Sequence, residues 1–251
     1  MKPEAALFAK ITRPLFTGVL PRKRLFALLD SGLQRSALWV SGPPGSGKTV
    51  LVSSYLEARS LPCLWYQVDC RDADTSTFFY YMGLAAKKAS PRTKRPLPLL
   101  TPEYMPGLPV FTRRYFENLY SRLKTPYCIV FDNYQDAPAG ARFHEVLREG
   151  IEVLPEGVKV IFISRGEPTG TLARMKANDR LNVLGWDELA LTLDESEEII
   201  RFKLKEKRSS DLARELHGMT KGWMAGLTLM IEKAKKGVFE PGQMKAVAED
   251  T

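Results

Sequence analysis

An apolar run, Ala37-Leu-Trp-Val-Ser41, leads directly into Gly42-Pro-Pro-Gly-Ser-Gly-Lys-Thr49. Those eight residues fit the phosphate-loop pattern G-x-x-x-x-G-K-[ST]. No other stretch constrains the chain as tightly. Such a loop needs a strand to deliver it and a helix to start from it, because consecutive backbone N–H groups must point into one concavity at a helix N-terminus. Pro43 and Pro44 carry no N–H, so the cradling donors are assigned to Gly45, Ser46, Gly47, Lys48 and Thr49. Gly42, Gly45 and Gly47 allow close approach of the backbone to phosphate oxygens. Lys48 is expected at the β- and γ-phosphates and the Thr49 hydroxyl at Mg²⁺. Gly42, Pro43, Pro44 and Val50 complete the expected nucleotide-binding stretch.

The rest of the sequence supplies the expected scaffold. Ser36–Ser41, Pro62–Asp69, Pro126–Asp132 and Val158–Ser164 read as strands, with a last short strand within Leu181–Leu193. Thr49–Ala58, a segment capped by Asp74 or Thr75, Phe111–Lys124 and Ala141–Leu154 read as helices between them. Strands alternating with helices predict a parallel sheet covered on both faces, with ligands at the carboxyl ends of the strands. Six prolines within Ser90–Val110 predict a long loop or insertion. After Leu193 the pattern becomes purely helical. The expected organisation is a phosphate-loop nucleotide-binding domain over 1–193, with the Pro-rich insertion at 90–110. A helical lid subdomain follows over 194–236, then a loose C-terminal tail over 237–251.

Two further residues fall at strand ends. Asp132 closes the run PYCIVFD, where an acid holds Mg²⁺ through water. In many such ATPases the next residue is a second acid that prepares the attacking water; here it is Asn133, which can orient water but cannot take its proton. Slow hydrolysis is therefore expected. Arg165 directly follows the run VKVIFIS and is placed to pair with a γ-phosphate. The long stretch between Thr49 and Asp132 holds a full strand and two helices. It matches the ATPase group with an extra strand between these two motifs and argues against small nucleoside kinases. His144 and His217 fall in helical patterns and read as structural.

Composition narrows the class. The chain has 251 residues, 44% of them hydrophobic and 26% charged, enough to bury a sizeable core. No apolar run approaches the ~20 residues of a membrane helix, and no membrane partner is expected. Cys63, Cys70 and Cys128 show no C-x-x-C spacing, so a reducing cytoplasm is the simple expectation. The net charge of +8 is concentrated in Lys87, Lys88, Arg92, Lys94 and Arg95, read as a solvated loop with a nucleic-acid groove as the alternative.

Taken in order, five features resemble the N-terminal nucleotide-binding module (NB-ARC-like) of the MalT-like and large LuxR-type transcriptional regulators, the STAND class of phosphate-loop NTPases. They are Lys10-Ile-Thr-Arg-Pro14 with Val19-Leu-Pro-Arg22; the phosphate loop; Leu64-Trp-Tyr-Gln-Val-Asp69; Ile129-Val-Phe-Asp-Asn-Tyr134; and Phe162-Ile-Ser-Arg165, followed by Leu191-Thr-Leu-Asp-Glu195 and Gly222-Trp-Met-Ala-Gly-Leu227. The resemblance implies an ATP/ADP switch that rests with ADP buried and opens to self-associate when ATP and an inducer bind. It implies that Arg22 lies near the adenine and that Trp223 belongs to a segment closing over the nucleotide. Asn133 and Met224 depart from the family pattern. The family's later parts, a sensor and a DNA-binding domain, do not follow Thr251, so the chain is expected to be a piece of a longer regulator that does not itself bind DNA. The expected function is a regulatory module with weak ATPase activity. The rivals are an AAA-like working ATPase acting on nucleic acid or protein, and a scaffold that binds nucleotide only structurally.

Overall fold

The computed structural model describes residues 9–168, 170–204 and 210–236; the tail expected over 237–251 lies outside them. Strands β1 (Ala37–Ser41), β2 (Cys63–Gln67), β3 (Tyr127–Asp132), β4 (Val158–Ser164) and β5 (Leu181–Leu184) form one sheet. Its order is β2-β3-β4-β1-β5, and every pairing is parallel. The strand read between the two phosphate-site motifs in sequence, β2, lies at the edge. In space the strand between them is β4.

All residues of β1 and β3 are buried, which explains their unbroken apolar runs: a sheet covered on both faces has no polar side to alternate with. Leu38, Val40, Val130 and Ile161 face helices α1 (Lys23–Gly32) and α2 (Lys48–Ala58), packing with Leu25, Leu29, Val52 and Leu56. Trp39, Phe131 and Phe162 face the other way, toward α3 (Thr75–Ala89), α4 (Leu108–Tyr120) and α5 (Phe143–Glu152). That second core is aromatic. Phe131 stacks on Phe162 with centroids 5.6 Å apart, and Phe78 meets Phe143 edge-on at 5.1 Å. Asp74 caps α3, accepting from the Ser76 and Thr77 N–H groups.

The Pro-rich segment, read as a long loop or insertion, is packed against the core and partly helical. Leu97 and Leu100 are buried in the aromatic core, and Pro102–Gly107 forms a 3₁₀ turn. Helix α4 starts at Leu108, earlier than the expected Phe111, because Pro109 falls in the first turn, where a missing N–H is no loss. Within the basic stretch, Lys87 holds this loop and Lys88 holds the N-terminal segment. Lys87 Nζ donates to Pro91 O (3.0 Å) and Thr93 O (2.8 Å), Lys88 Nζ to Thr12 Oγ1 (2.7 Å), and Arg122 to Arg95 O (2.9 Å).

After β4, α6 (Thr171–Ala177) leads to β5, and one helical turn, α7 (Trp186–Leu189), follows. The strand expected within 181–193 therefore occupies only its first four residues. Helices α8 (Leu193–Leu204), α9 (Ser210–Thr220) and α10 (Met224–Lys235) then gather around their own apolar cluster, centred on Leu216, Leu227 and Ile231. No helix among the described residues is long and apolar enough to cross a membrane.

The N-terminal segment is pinned to the sheet by charge. Buried Lys10 Nζ contacts Asp72 and Asp69, both at 2.9 Å, and Tyr66 donates to Asp72 (2.6 Å). Ser53 Oγ holds Pro14 O at 2.5 Å. These anchors carry the chain across the sheet edge so that Val19–Arg22 arrive beside the phosphate loop.

Two outcomes follow from this packing. A Cβ on Gly150 would lie 2.6 Å from the Phe116 ring, so Gly150→Ala should destabilise the domain by about 1–3 kcal/mol through overpacking, read as a lower urea midpoint. Burial alone would raise the Asp69 carboxyl, but hydrogen bonds from Arg71 and Lys10 outweigh it and hold it at about 2. With an unfolded-state value near ~3.9, this group's stabilisation is complete above that pH and is lost as pH falls through about 2. Urea titrations across that acid window should show a smaller stability loss for Asp69→Asn than for the wild type.

Candidate functional site

Strand β1 ends at Ser41, and the loop rises from it. Gly45 (φ 75°) and Gly47 (φ 86°) occupy the left-handed region, where a side chain would be strained, and Gly47 is the N-cap of α2. The loop thus opens at the positive end of an eleven-residue helix. Of the assigned donors, the Ser46 N–H closes a turn onto Pro43 O at 3.2 Å. Lys48, buried, folds over the loop, and its Nζ donates to Gly42 O (2.6 Å), Pro43 O (2.9 Å) and Ser46 Oγ (3.2 Å). The carbonyls of Gly42 and Pro43 therefore position the ammonium at the mouth of the loop.

Asp132 arrives from β3. Its side chain is buried, and Thr49 Oγ1 donates to its Oδ1 at 3.2 Å. Burial raises the Asp132 carboxyl; the Asn133 N–H, the Thr49 hydroxyl and the Lys48 charge oppose that rise. Lys48 is pushed the other way, downward, first by burial and then by Arg165, with Asp132 as the partial counterweight. An added anion would relieve both cations at once.

Asn133 has φ 57° and ψ 40°, and its N–H donates to Asp132 Oδ1 (2.9 Å). Asparagine is among the few residues that enter this left-handed turn at low cost, which gives the departure from an acid a backbone reason. Arg165 follows β4 immediately. Its N–H donates to Gln135 Oε1 (3.1 Å), and its side chain lines the same cleft as Lys48, Thr49 and Asn133. That cleft measures about 290 Å³. The predicted convergence of the loop, the β3 end and Arg165 is thus present in the geometry. Gln135 and Ile163 also line it and carry no sequence signature.

A second cavity of about 230 Å³ adjoins the first. Gly47 and Val50 line both. Its remaining walls are mostly apolar: Val19 and Leu20 from the N-terminal segment, Leu51 from α2, and Ile199, Phe202 and Met224 from the helical subdomain. Arg22 lines this cavity, with its guanidinium bound to Glu195 and to the carbonyls of Leu189 and Ala190. Glu195 was quoted in the sequence only as part of a family string; its distance from Arg22 in the chain hid the pairing.

Trp223 is exposed and touches the loop rather than the second cavity. Its Nε1 donates to Pro44 O at 2.9 Å, and the Ala225 N–H donates to Gly45 O at 3.0 Å. A Cβ on Gly45 would lie 2.6 Å from Ala225 Cβ, so only glycine permits this approach. The start of α10 therefore rests directly on the phosphate loop. Away from the site, His144 lies between Tyr134 OH (2.6 Å) and Pro138 O (2.9 Å), and His217 meets Ser196 Oγ (2.9 Å). Both histidines are engaged structurally.

Among solved structures, the Walker-type ATPase PABY2304 of Pyrococcus abyssi matches 87% of this chain and 69% of its own, with TM-score 0.56 and 16% identity, a likeness of fold. Among curated proteins, the HTH-type transcriptional regulator MalT of Serratia proteamaculans is 26% identical over 231 residues, 91% of this chain. MalT of Yersinia pestis is 25% identical over 225 residues, 88% of this chain. The chain spans about a quarter of the length of these curated relatives, 25% and 24%. The profile of the family described as "Nephrocystin 3, N-terminal" matches residues 19–165, more than half of the chain, from the wall of the second cavity through the phosphate loop and Asp132 to Arg165. The chain belongs to the Nephrocystin 3, N-terminal family.

Proposed function

We propose that this chain is an ATP/ADP-binding regulatory module of a transcriptional regulator, a switch with slow, Mg²⁺-dependent hydrolysis. The observation that carries the reading is the junction of two chambers over Gly47 and Val50: one ringed by Lys48, Thr49, Asn133 and Arg165, the other apolar and walled partly by the helical subdomain. A polyphosphate suits the first and a base the second. Adenine is favoured because, among the described residues, no carboxylate lines the second chamber to read a guanine edge.

Thr49 and Asp132 offer a hydroxyl and a carboxylate in contact, hard oxygen donors suited to a magnesium ion that shares phosphate oxygens and keeps several waters. When bound, magnesium would neutralise charge on the phosphate oxygens. The residues of the chain do the rest. Lys48 exchanges the Gly42 and Pro43 carbonyls for phosphate oxygens. Arg165 reaches the terminal phosphate. Asn133 orients water but cannot accept its proton, which keeps hydrolysis slow. Because a bound base would touch both Val50 and Met224, binding energy is shared between sheet and helical subdomain, so occupancy biases their relative position. The division into a nucleotide-binding domain over 1–193 and a lid over 194–236 is part of this proposal. So are a DNA-binding part, resting on the likeness to HTH-type transcriptional regulators, and an inducer-sensing part and ATP-dependent self-association, which rest on the family resemblance. The rival working-ATPase reading draws on the basic loop, where Lys87 and Lys88 are spent on protein oxygens while Arg92, Lys94 and Arg95 are exposed.

Three measurements test the proposal. Denaturing the purified protein and chromatographing the supernatant should release an adenine nucleotide, and Lys48→Ala should weaken ADP binding by about ten- to a hundredfold in calorimetry; a wild type without affinity for adenine nucleotides would refute the switch. In a phosphate-release assay, Asn133→Asp should raise turnover by about tenfold or more, from a wild-type rate well below tens per second and insensitive to added DNA or RNA.

A further inference from the structure

Two arginines from the N-terminal side converge on one carboxylate. Arg22 Nη2 lies 2.7 Å and Arg24 Nη2 3.0 Å from Glu195 Oε2, while Arg22 Nε reaches Oε1 at 3.3 Å. The same guanidinium groups take up three consecutive carbonyls of the connection into the helical subdomain. Arg24 donates to Glu188 O (2.8 Å) and Ala190 O (3.0 Å), and Arg22 to Leu189 O (2.8 Å) and Ala190 O (3.1 Å). Arg22 is 8% exposed and Glu195 13%, so the bonds between these two are largely shielded from water, while Arg24 is more exposed. Burial alone would raise the Glu195 carboxyl, but the hydrogen bonds from Arg22 and Arg24 outweigh it and hold it ionised. The Thr192 N–H orients it further, at 3.1 Å.

This cluster stands at a mechanical junction. One residue beyond the clamped carbonyls, the Leu191 N–H donates to Gly222 O (3.0 Å), and a Cβ on Gly222 would lie 2.7 Å from Leu191 O. Gly222 is followed directly by Trp223, the residue that hooks Pro44 O. On the other side, Ile199 on α8, one turn after Glu195, lines the apolar chamber, as Arg22 does.

We propose that Glu195 is a positioning residue for the nucleotide site. By neutralising and orienting Arg22 and Arg24 it clamps the connection at Glu188–Ala190, holds α8 and α10 closed over the chambers, and sets how slowly a bound nucleotide leaves. The proposal rests on the nucleotide-binding reading above. Gln at this position keeps the shape but offers one acceptor oxygen and turns an N–H₂ toward two guanidinium groups.

The test uses N-methylanthraniloyl-ADP, chased with unlabelled ADP in a stopped-flow instrument, together with amide hydrogen exchange of the nucleotide-free protein. In Glu195→Gln the dissociation rate should rise about ten- to a hundredfold, with the association rate near wild type. Exchange over 186–195 and 221–226 should speed up in Glu195→Gln. Arg24→Ala, which removes half of the clamp, should move both readouts the same way and serves if Glu195→Gln fails to fold. Wild-type dissociation and wild-type exchange in these variants would overturn the clamp. A wild type that binds no labelled ADP would instead overturn the nucleotide reading, and the exchange data would still decide whether Glu195 holds the subdomain.

Discussion

The site depends on the in-register parallel pairing of β1, β4 and β3. Ser41 pairs with Ser164, and Phe131 with Phe162, so three strands end at nearly one level. That shared end point brings the phosphate loop, Asp132 and Arg165 to one cleft although they are far apart in the chain. The register is held by the two cores on either face of the sheet. A slip by one residue would turn Trp39 and Phe162 out of the aromatic layer and put Leu38 and Ile161 in their place, a misfit on both faces.

A second constraint joins the helical subdomain to this scaffold, and glycine makes it possible. The chain approaches itself so closely at Gly45 and at Gly222 that a Cβ at either would lie under 3 Å from its neighbour. Through these two contacts the start of α10 rests on the loop, and the connection after Ala190 rests against the residue before Trp223. The loop that cradles a phosphate also carries the subdomain's hydrogen bonds, on Pro44 O and Gly45 O. The loop and the subdomain are therefore joined directly, with no intermediate element between them.

Charge in the site is arranged in two groups with different consequences. Lys48 and Arg165 face each other, with Asp132 as the nearby acid, and burial lowers the lysine and raises the aspartate. That arrangement welcomes an anion and a cation together. Arg22 and Arg24, by contrast, are already paired with Glu195, and their bonds are structural. A cationic side chain beside a nucleotide chamber is thus not automatically a nucleotide ligand.

Much of this was legible in the residues. The loop GPPGSGKT, the acid closing PYCIVFD and the arginine after VKVIFIS each follow an apolar run, so local pattern alone located three segments that meet at neighbouring strand ends. The same runs predicted a parallel sheet, and β4 was placed to the residue. Local pattern failed where a partner lay far away. Pro109 reads as a helix breaker, but its place in the first turn of α4 makes it harmless, and Leu97 and Leu100 become core only because the aromatic layer receives them. Sequence by itself determined the phosphate loop, because its chemistry is carried by adjacent backbone groups. Tertiary structure alone decided the strand order, the second chamber and the pairing of Arg22 with Glu195, because each joins residues far apart in the chain, 173 positions for Arg22 and Glu195, and no local rule links side chains at that distance.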